Sequence, residues 1–324
     1  MDLTILIPTK DRFVYLKNLI EYYQTSNFKG KILIIDGSKK LIQLKIKKFI
    51  LDKENVDYCY FNDPISISIK KSKKFIKTNF VLHCGDDDYF HVKNLEILLK
   101  KLKKKDKNSS IAGLSYLCEI SENKTLNFSK YLALHPILQK NPYQRLKYIH
   151  RNYSNLLWFI IPKEVFFDSY KNSSKKLKLK VLYDELIINY TLAIHAKFYL
   201  TNIPYLIRIV GHNSSGQTLH KKKIKLSEFK KGIKKFKLLL LNSLKLKNSN
   251  VEIQKLDRDI KMDYLLKNKD LFIKKKNNNF LKYIIKKSYH IFFKEIFQRY
   301  IFLRKFYKNF SLIIFYIKKL KKLN

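Results

Sequence analysis

Short apolar runs separated by amphipathic stretches fill the first hundred residues. "LTILIP" (3–8) is an unbroken apolar run closed by Pro8, the pattern of a strand buried on both faces. Phe13, Leu16, Leu19, Ile20 and Tyr23 then recur at helical spacing, and Asn27 to Gly30 close that helix. "KILIID" (31–36) predicts a second buried strand, cut off by Gly37-Ser38. A helix follows over roughly 40–51, then a strand "DYCYF" (57–61), a helix near 66–77 and a strand "FVLHC" (80–84). Val92, Leu95, Leu99 and Leu102 mark the next helix. Strands separated by helices of this length predict an α/β fold, a mostly parallel sheet with helices on both faces. In such sheets ligands bind beyond the carboxyl ends of the strands. Polar residues stand there after three of the strands: Thr9-Lys10-Asp11, Asp36, and Asp86-Asp87-Asp88.

The middle of the chain is less regular. "NLLWFIIPKEVF" (155–166) reads as a strand running into a helix with Pro162 at its first position. "LYDELIINYTLAIHA" (182–196) reads as a helix with Asp184 and Glu185 in its first turn, and "PYLIRIVGHNSSGQT" (204–218) as a strand and loop. After "HKKKIK" the chain changes to basic helices rich in Leu, Ile, Phe and Tyr. We place a domain boundary there: residues 1–220 as the α/β domain and 221–324 as a basic, aromatic-rich helical region.

Charge sharpens that division. The formal net charge is +42, and residues 1–220 carry 37 Lys/Arg against 19 Asp/Glu while 221–324 carry 31 against 7. An AT-rich coding bias accounts for abundant lysine, but not for its uneven distribution. A charge of this size draws polyanions such as nucleotides, anionic lipid or nucleic acid. Within 280–324, aromatic and aliphatic residues alternate with Lys/Arg at near-helical intervals, as in helices that lie in a membrane interface. Packing of that apolar face on the α/β domain is the competing expectation. No nucleic-acid module is readable, so nucleic acid is the weakest partner class. No uncharged run reaches the ~18–20 residues of a spanning helix. "MDLTILIPTKDR" lacks the basic and apolar regions of a signal peptide, and three cysteines without CxxC spacing suit a reducing compartment. The expectation is a cytoplasmic protein, peripheral on the inner face of the membrane if the tail docks there.

The run Asp86–Asp88 raises the sharpest chemical question. Adjacent carboxylates repel by about 1 kcal/mol at 4 Å in water and about 4 at a protein-surface dielectric. A site that holds a cation relieves the repulsion; a solvated acidic turn tolerates it. Of only seven glycines, Gly37, Gly85 and Gly211 adjoin Asp36, the aspartate run and His212, where a positive φ or a close backbone approach favours glycine.

"TILIPTKDR", "LIIDGS" and "VLHCGDDDYF", in that order, resemble the inverting glycosyltransferases of family 2, which have the GT-A fold. The resemblance covers residues 1–105 well and 150–215 loosely. It implies that Pro8, Thr9, Lys10, Asp11 and Arg12 frame the nucleotide and that Asp36 contacts base or ribose. It further implies that Asp86, Asp87 and Asp88 supply the DxD ligands of Mg²⁺ or Mn²⁺, with Asp86 also facing the donor. The commoner pattern has a proline where Val92 stands, so which aspartate touches metal stays open. The family places an acidic pair at a helix start as general base; Asp184 fits that role best, with Glu185 as alternate. His212 stands where such enzymes often supply a further metal ligand, and Lys70 or Lys71 and Arg208 are candidate phosphate contacts. The implied activity is transfer of a sugar from a nucleotide-sugar donor to a glycan or lipid-linked acceptor in surface polysaccharide or lipopolysaccharide assembly. The rivals are a nucleotidyltransferase, which shares the acidic strand end, and a non-catalytic polybasic binding protein on a transferase-like scaffold.

Overall fold

The structure is a computed structural model and describes residues 1–120, 126–131, 134–171, 181–210, 236, 238–244 and 310–319. The elements run β1 (Leu3–Thr9), α1 (Phe13–Thr25), β2 (Lys31–Asp36), α2 (Lys40–Ile50), β3 (Val56–Tyr60), α3 (Ile65–Ser72) and β4 (Phe80–His83). They continue with β5 (Asp88–Phe90), α4 (Val92–Leu102), β6 (Ser109–Ile120), β7 (Leu126–Tyr131) and α5 (Pro142–Arg151). The last are β8 (Ile161–Pro162), α6 (Lys163–Ser169), α7 (Val181–His195) and β9 (Lys197–Val210).

The apolar runs of the first eighty residues form the expected sheet. β1 pairs in parallel with β2 and β4, β2 with β3, and β8 closes the edge antiparallel to β4, giving the order β3-β2-β1-β4-β8. The side chains of β1 and β2 are buried almost throughout, as unbroken apolar runs require, while the edge strand β3 exposes Asp57 and Tyr60. Because β1, β2 and β3 step in one direction, right-handed crossovers place α1 and α2 on one face. α3 recrosses β1 to reach β4 and takes the other. Helix α3 is shorter than its apolar pattern suggests: it ends at Ser72 and passes into a 3₁₀ turn, Lys73–Phe75.

A second sheet, of which the hydrophobic pattern announces only the later part of β9, begins at the last residue of the acidic run. Its order is β5-β9-β6-β7, with β5 and β7 antiparallel and β9 parallel to β6. Gly113 is required at the β6–β9 irregularity, since a Cβ there would stand 2.1 Å from the Ile203 carbonyl oxygen. Pro162 is not the first helical residue of "NLLWFIIPKEVF". It ends the two-residue strand β8 and precedes α6, while Leu156–Trp158 form a 3₁₀ turn.

Both described pieces of the chain beyond residue 220 pack on this body. Phe236 meets Tyr190 edge-on, and Leu239, Leu240 and Leu241 are buried. In the helix at 310–319, Phe310, Ile313, Ile314, Tyr316 and Ile317 face inward. The Tyr316 hydroxyl hydrogen-bonds Thr25, its carbonyl accepts from Asn18, and Lys319 pairs with Glu21, so α1 holds this helix along its length. Its apolar face therefore covers protein. The rest of 280–324 lies outside the described residues. No helix among the described residues is long and apolar enough to cross a membrane. Cys59, Cys84 and Cys118 are buried and free.

Candidate active site

The carboxyl ends of β1, β2 and β4 meet at one edge. Cys84 N–H donates to Leu6 O at 3.0 Å, extending the β1–β4 pairing, and Asp88 N–H donates to Gly85 O at 3.2 Å to close the turn that carries the acids. Asp86 is buried and accepts from the Thr9 hydroxyl at 2.8 Å. The Arg12 guanidinium spans two members of the run, with Nη1 3.1 Å from Asp86 Oδ1 and Nη2 2.7 Å from Asp87 Oδ2. It also lies 4.3 Å from the centre of the Tyr15 ring. Asp88 stands opposite Arg208 in the β5–β9 pairing, 3.7 Å from its Nε. Arg208 in turn packs 3.9 Å over Trp158 and 5.3 Å over Tyr131. The carboxylate repulsion expected from the sequence is thus met by two internal guanidiniums. Burial still dominates: it pushes the Asp86 carboxyl up to about 7, against the pull of Arg12, and raises Asp88 in the same way against Arg208.

Gly85 is needed for a close approach. No described glycine has a positive φ. A Cβ on Gly85 would stand 3.0 Å from Asp88 Oδ2 and 3.1 Å from Asp87 Oδ1, so these two oxygens converge over a position only glycine leaves open. No group of three His, Cys, Asp or Glu among the described residues is placed to enclose a metal. One or two carboxylate oxygens fit a hard cation that takes its other ligands from a diphosphate, and Asp87 with Asp88 supply that pair. His212 lies outside the described residues.

Asp36, which the resemblance implies as a contact to base or ribose, closes β2. It is 1% exposed, and its two oxygens accept from Ser38 N–H and the Tyr58 hydroxyl, each at 2.8 Å. This bonding and burial push the Tyr58 phenol well up, burial first. Here Asp36 orders the turn that follows β2. Asp11, in the left-handed region at φ 56°, ties that turn to the β1 loop: its N–H donates to Ser38 Oγ and its carboxylate accepts from Lys39 N–H. Lys10 and Asp11 are exposed at the rim and Pro8 is half-buried. Lys70 is exposed on the last turn of α3, and no contact among the described residues joins it to the acidic run; Lys71 pairs with Asp63.

Of the two acids expected in the first turn of α7, only Asp184 lies there, with Glu185 just past it, and they turn apart. Asp184 turns toward α3 and accepts from Ser66 at 3.0 Å. Glu185 turns toward the segment before β8, where Tyr153 and Asn155 donate to its Oε1 at 2.9 and 3.1 Å. Asn189, fully buried, donates to the Tyr153 oxygen at 3.2 Å and to the Glu185 carbonyl at 2.9 Å. An amide NH₂ can only donate, so the phenolic proton must point to Glu185. The Tyr131 phenol is raised chiefly by burial, against the pull of Arg208, and the charges of Glu185 and Asp88 both add to the rise. Tyr131, Tyr153, Trp158 and Asn189 were not candidates from the sequence. The signal open to inspection was the only tryptophan of the chain within "NYSNLLW".

No protein family's sequence profile matches the chain, and no curated protein matches it. Its fold does match solved structures. Residues 1–349 of TarS from S. aureus superpose with a TM-score of 0.50 at 11% identity, covering 83% of this chain and 74% of that one. The same fragment in complex with UDP gives 0.52 at 15% identity (87% and 75% covered), and in complex with UDP-GlcNAc 0.53 at 13% (84% and 73%). The chain has a mixed α/β fold of the GT-A type.

Proposed function

We propose that this protein is a glycosyltransferase that moves a sugar from a nucleoside diphosphate sugar to a hydroxyl acceptor, with inversion at the anomeric carbon. The observation that carries the reading is the acidic run at the β4 end, set against the guanidiniums of Arg12 and Arg208, with Glu185 held by Tyr153 and Asn155 near the α7 start. The fold shared with a protein solved with UDP and UDP-GlcNAc supports a nucleotide-sugar donor.

In this reading the donor diphosphate lies over Gly85, within reach of Arg12 and Arg208. Those guanidiniums receive the negative charge that develops as the anomeric carbon–oxygen bond breaks. A divalent ion, Mg²⁺ or Mn²⁺, held by Asp87 and Asp88, would add Lewis-acid stabilisation of the same leaving group. Glu185 takes the proton of the acceptor hydroxyl as that oxygen attacks, and Tyr153 fixes the carboxylate so that Oε2 is presented. We assign the base to Glu185, whose Oε1 is held by Tyr153 and Asn155, whereas Asp184 accepts from Ser66 on α3. The products are a nucleoside diphosphate and a glycosylated acceptor, in keeping with a role in surface polysaccharide or lipopolysaccharide assembly.

The test is product identification with a panel of sugar nucleotides and Mn²⁺. Release of nucleoside diphosphate by wild type, and its loss in Glu185→Gln, is expected. Release of pyrophosphate would mark a nucleotidyltransferase, and no turnover of any donor would remove the enzymatic reading.

A further inference from the structure

Helix α2 is apolar on two opposite sides. One side covers the sheet and α1: Gln43 and Ile46 are buried, Phe49 meets Phe13 edge-on, and Ile42 and Ile50 are half-buried. At about 100° per residue, Leu41, Leu44 and Leu51 fall within an arc of about 80° on the opposite side. They are 67%, 53% and 89% exposed. Lys48 lies inside that arc, with Lys40 and Lys47 along one flank and Lys45 along the other, and all four are exposed. No Asp or Glu occurs between Gly37 and Leu51. A helix that only roofs a sheet carries polar residues on its outer side.

We propose that the outer face of α2 is a docking surface for an anionic lipid bilayer. A convex ridge of leucines set among lysines is the arrangement that enters the headgroup–acyl boundary while the ammonium groups stay at the headgroups. A second copy of the chain would bring two lysine fields together with no carboxylate between them. Nucleic acid would satisfy the lysines and leave the leucines in water. The helix at 310–319 cannot take this role with its inward face, which is packed on α1. α2 also begins at the catalytic edge, because Lys39 N–H is held by Asp11 at 2.9 Å. Its length of about 16 Å sets the distance over which the strand ends would stand from the docked end. The proposal does not depend on the proposed chemistry, since its readout is lipid binding.

The experiment is co-sedimentation of the full chain with vesicles of 30 mol% phosphatidylglycerol in phosphatidylcholine, and with pure phosphatidylcholine. Leu41→Ser/Leu44→Ser/Leu51→Ser should lower binding to the anionic vesicles at least tenfold. Lys45→Gln/Lys48→Gln should lower it by about fivefold per charge removed, and neutral vesicles should bind weakly. In a separate Leu44→Trp variant, emission should shift to the blue and be quenched by brominated lipid. Undiminished binding by the triple variant, or an unquenched Trp in vesicle-bound protein, would overturn the proposal. So would a dimer in vesicle-free solution that the triple variant converts to monomer.

Discussion

Asp86–Asp88 and Asp184–Glu185 are both acidic runs at the end or start of an element, yet the protein surrounds them with different chemistry. The first is packed into the sheet edge, its acids set against Arg12 and Arg208, and its buried carboxyls are pushed up. The second lies at a helix start, and Tyr153, Asn155 and Ser66, all neutral, donate to it. A carboxylate compensated by guanidinium is already neutralised in place and suits charge exchange with an incoming polyanion and its cation. The hydroxyl and amide donors on Glu185 orient its carboxylate, which suits it to accept a proton in the proposed reaction. In the proposed reaction the difference suits one acidic run to leaving-group handling and the other to proton transfer.

Four comparisons would break or sharpen that division. The largest effect belongs to Glu185→Gln, which should lower kcat by about 100- to 10,000-fold with KM little changed, while Asp184→Asn stays within about tenfold; steady-state kinetics separates them. Next, Arg12→Met leaves Asp86 and Asp87 without their shared cation and should cost about 3–5 kcal/mol of stability, read by urea denaturation. A single guanidinium exchange that left stability unchanged would show that the run is solvated.

The third concerns pH. Asp86 has its folded-state pKa raised to about 7, from 3.8. The native state therefore binds more protons than the unfolded chain between about pH 4 and pH 7, and stability falls as pH rises through that window and is level above it. Buried His83, lowered to about 4, contributes the opposite slope. The comparison of wild type with Asp86→Asn in chelator isolates the aspartate: wild type should lose about 2–4 kcal/mol relative to the variant from pH 4 to pH 7.5. The smallest effect is Tyr153→Phe, which removes one of two donors to Glu185 and should lower kcat about tenfold while leaving KM and the unfolding midpoint nearly unchanged.

The strand-end part of this site was legible because its elements are local. β1 and β2 appear where unbroken apolar runs place them, and Thr9, Arg12 and Asp86 each lie within a few residues of a strand end. The contacts that Arg208, Tyr131 and Glu185 make were not, because they arise only through distant pairing. Arg208 reaches Asp88 through the antiparallel β5–β9 ladder, and Tyr131 reaches Arg208 from β7. Buried serines at 109, 110 and 115 hide β6 from any apolar count. Asp36 is a further case: an acid after a strand looks the same in sequence whatever it meets, and its partner Tyr58 comes from the neighbouring strand β3. The tail shows the same limit, since the stripe of aromatics at 310–319 reads equally as a lipid or a protein face until α1 is seen beneath it.

The acidic run's part in donor binding is tested most directly by calorimetric titration of UDP, with and without Mn²⁺, into wild type and the Asp87→Asn/Asp88→Asn variant. The account predicts Mn²⁺-dependent binding to wild type that weakens at least tenfold in the variant. Equal affinity in both proteins, with or without the ion, would contradict it.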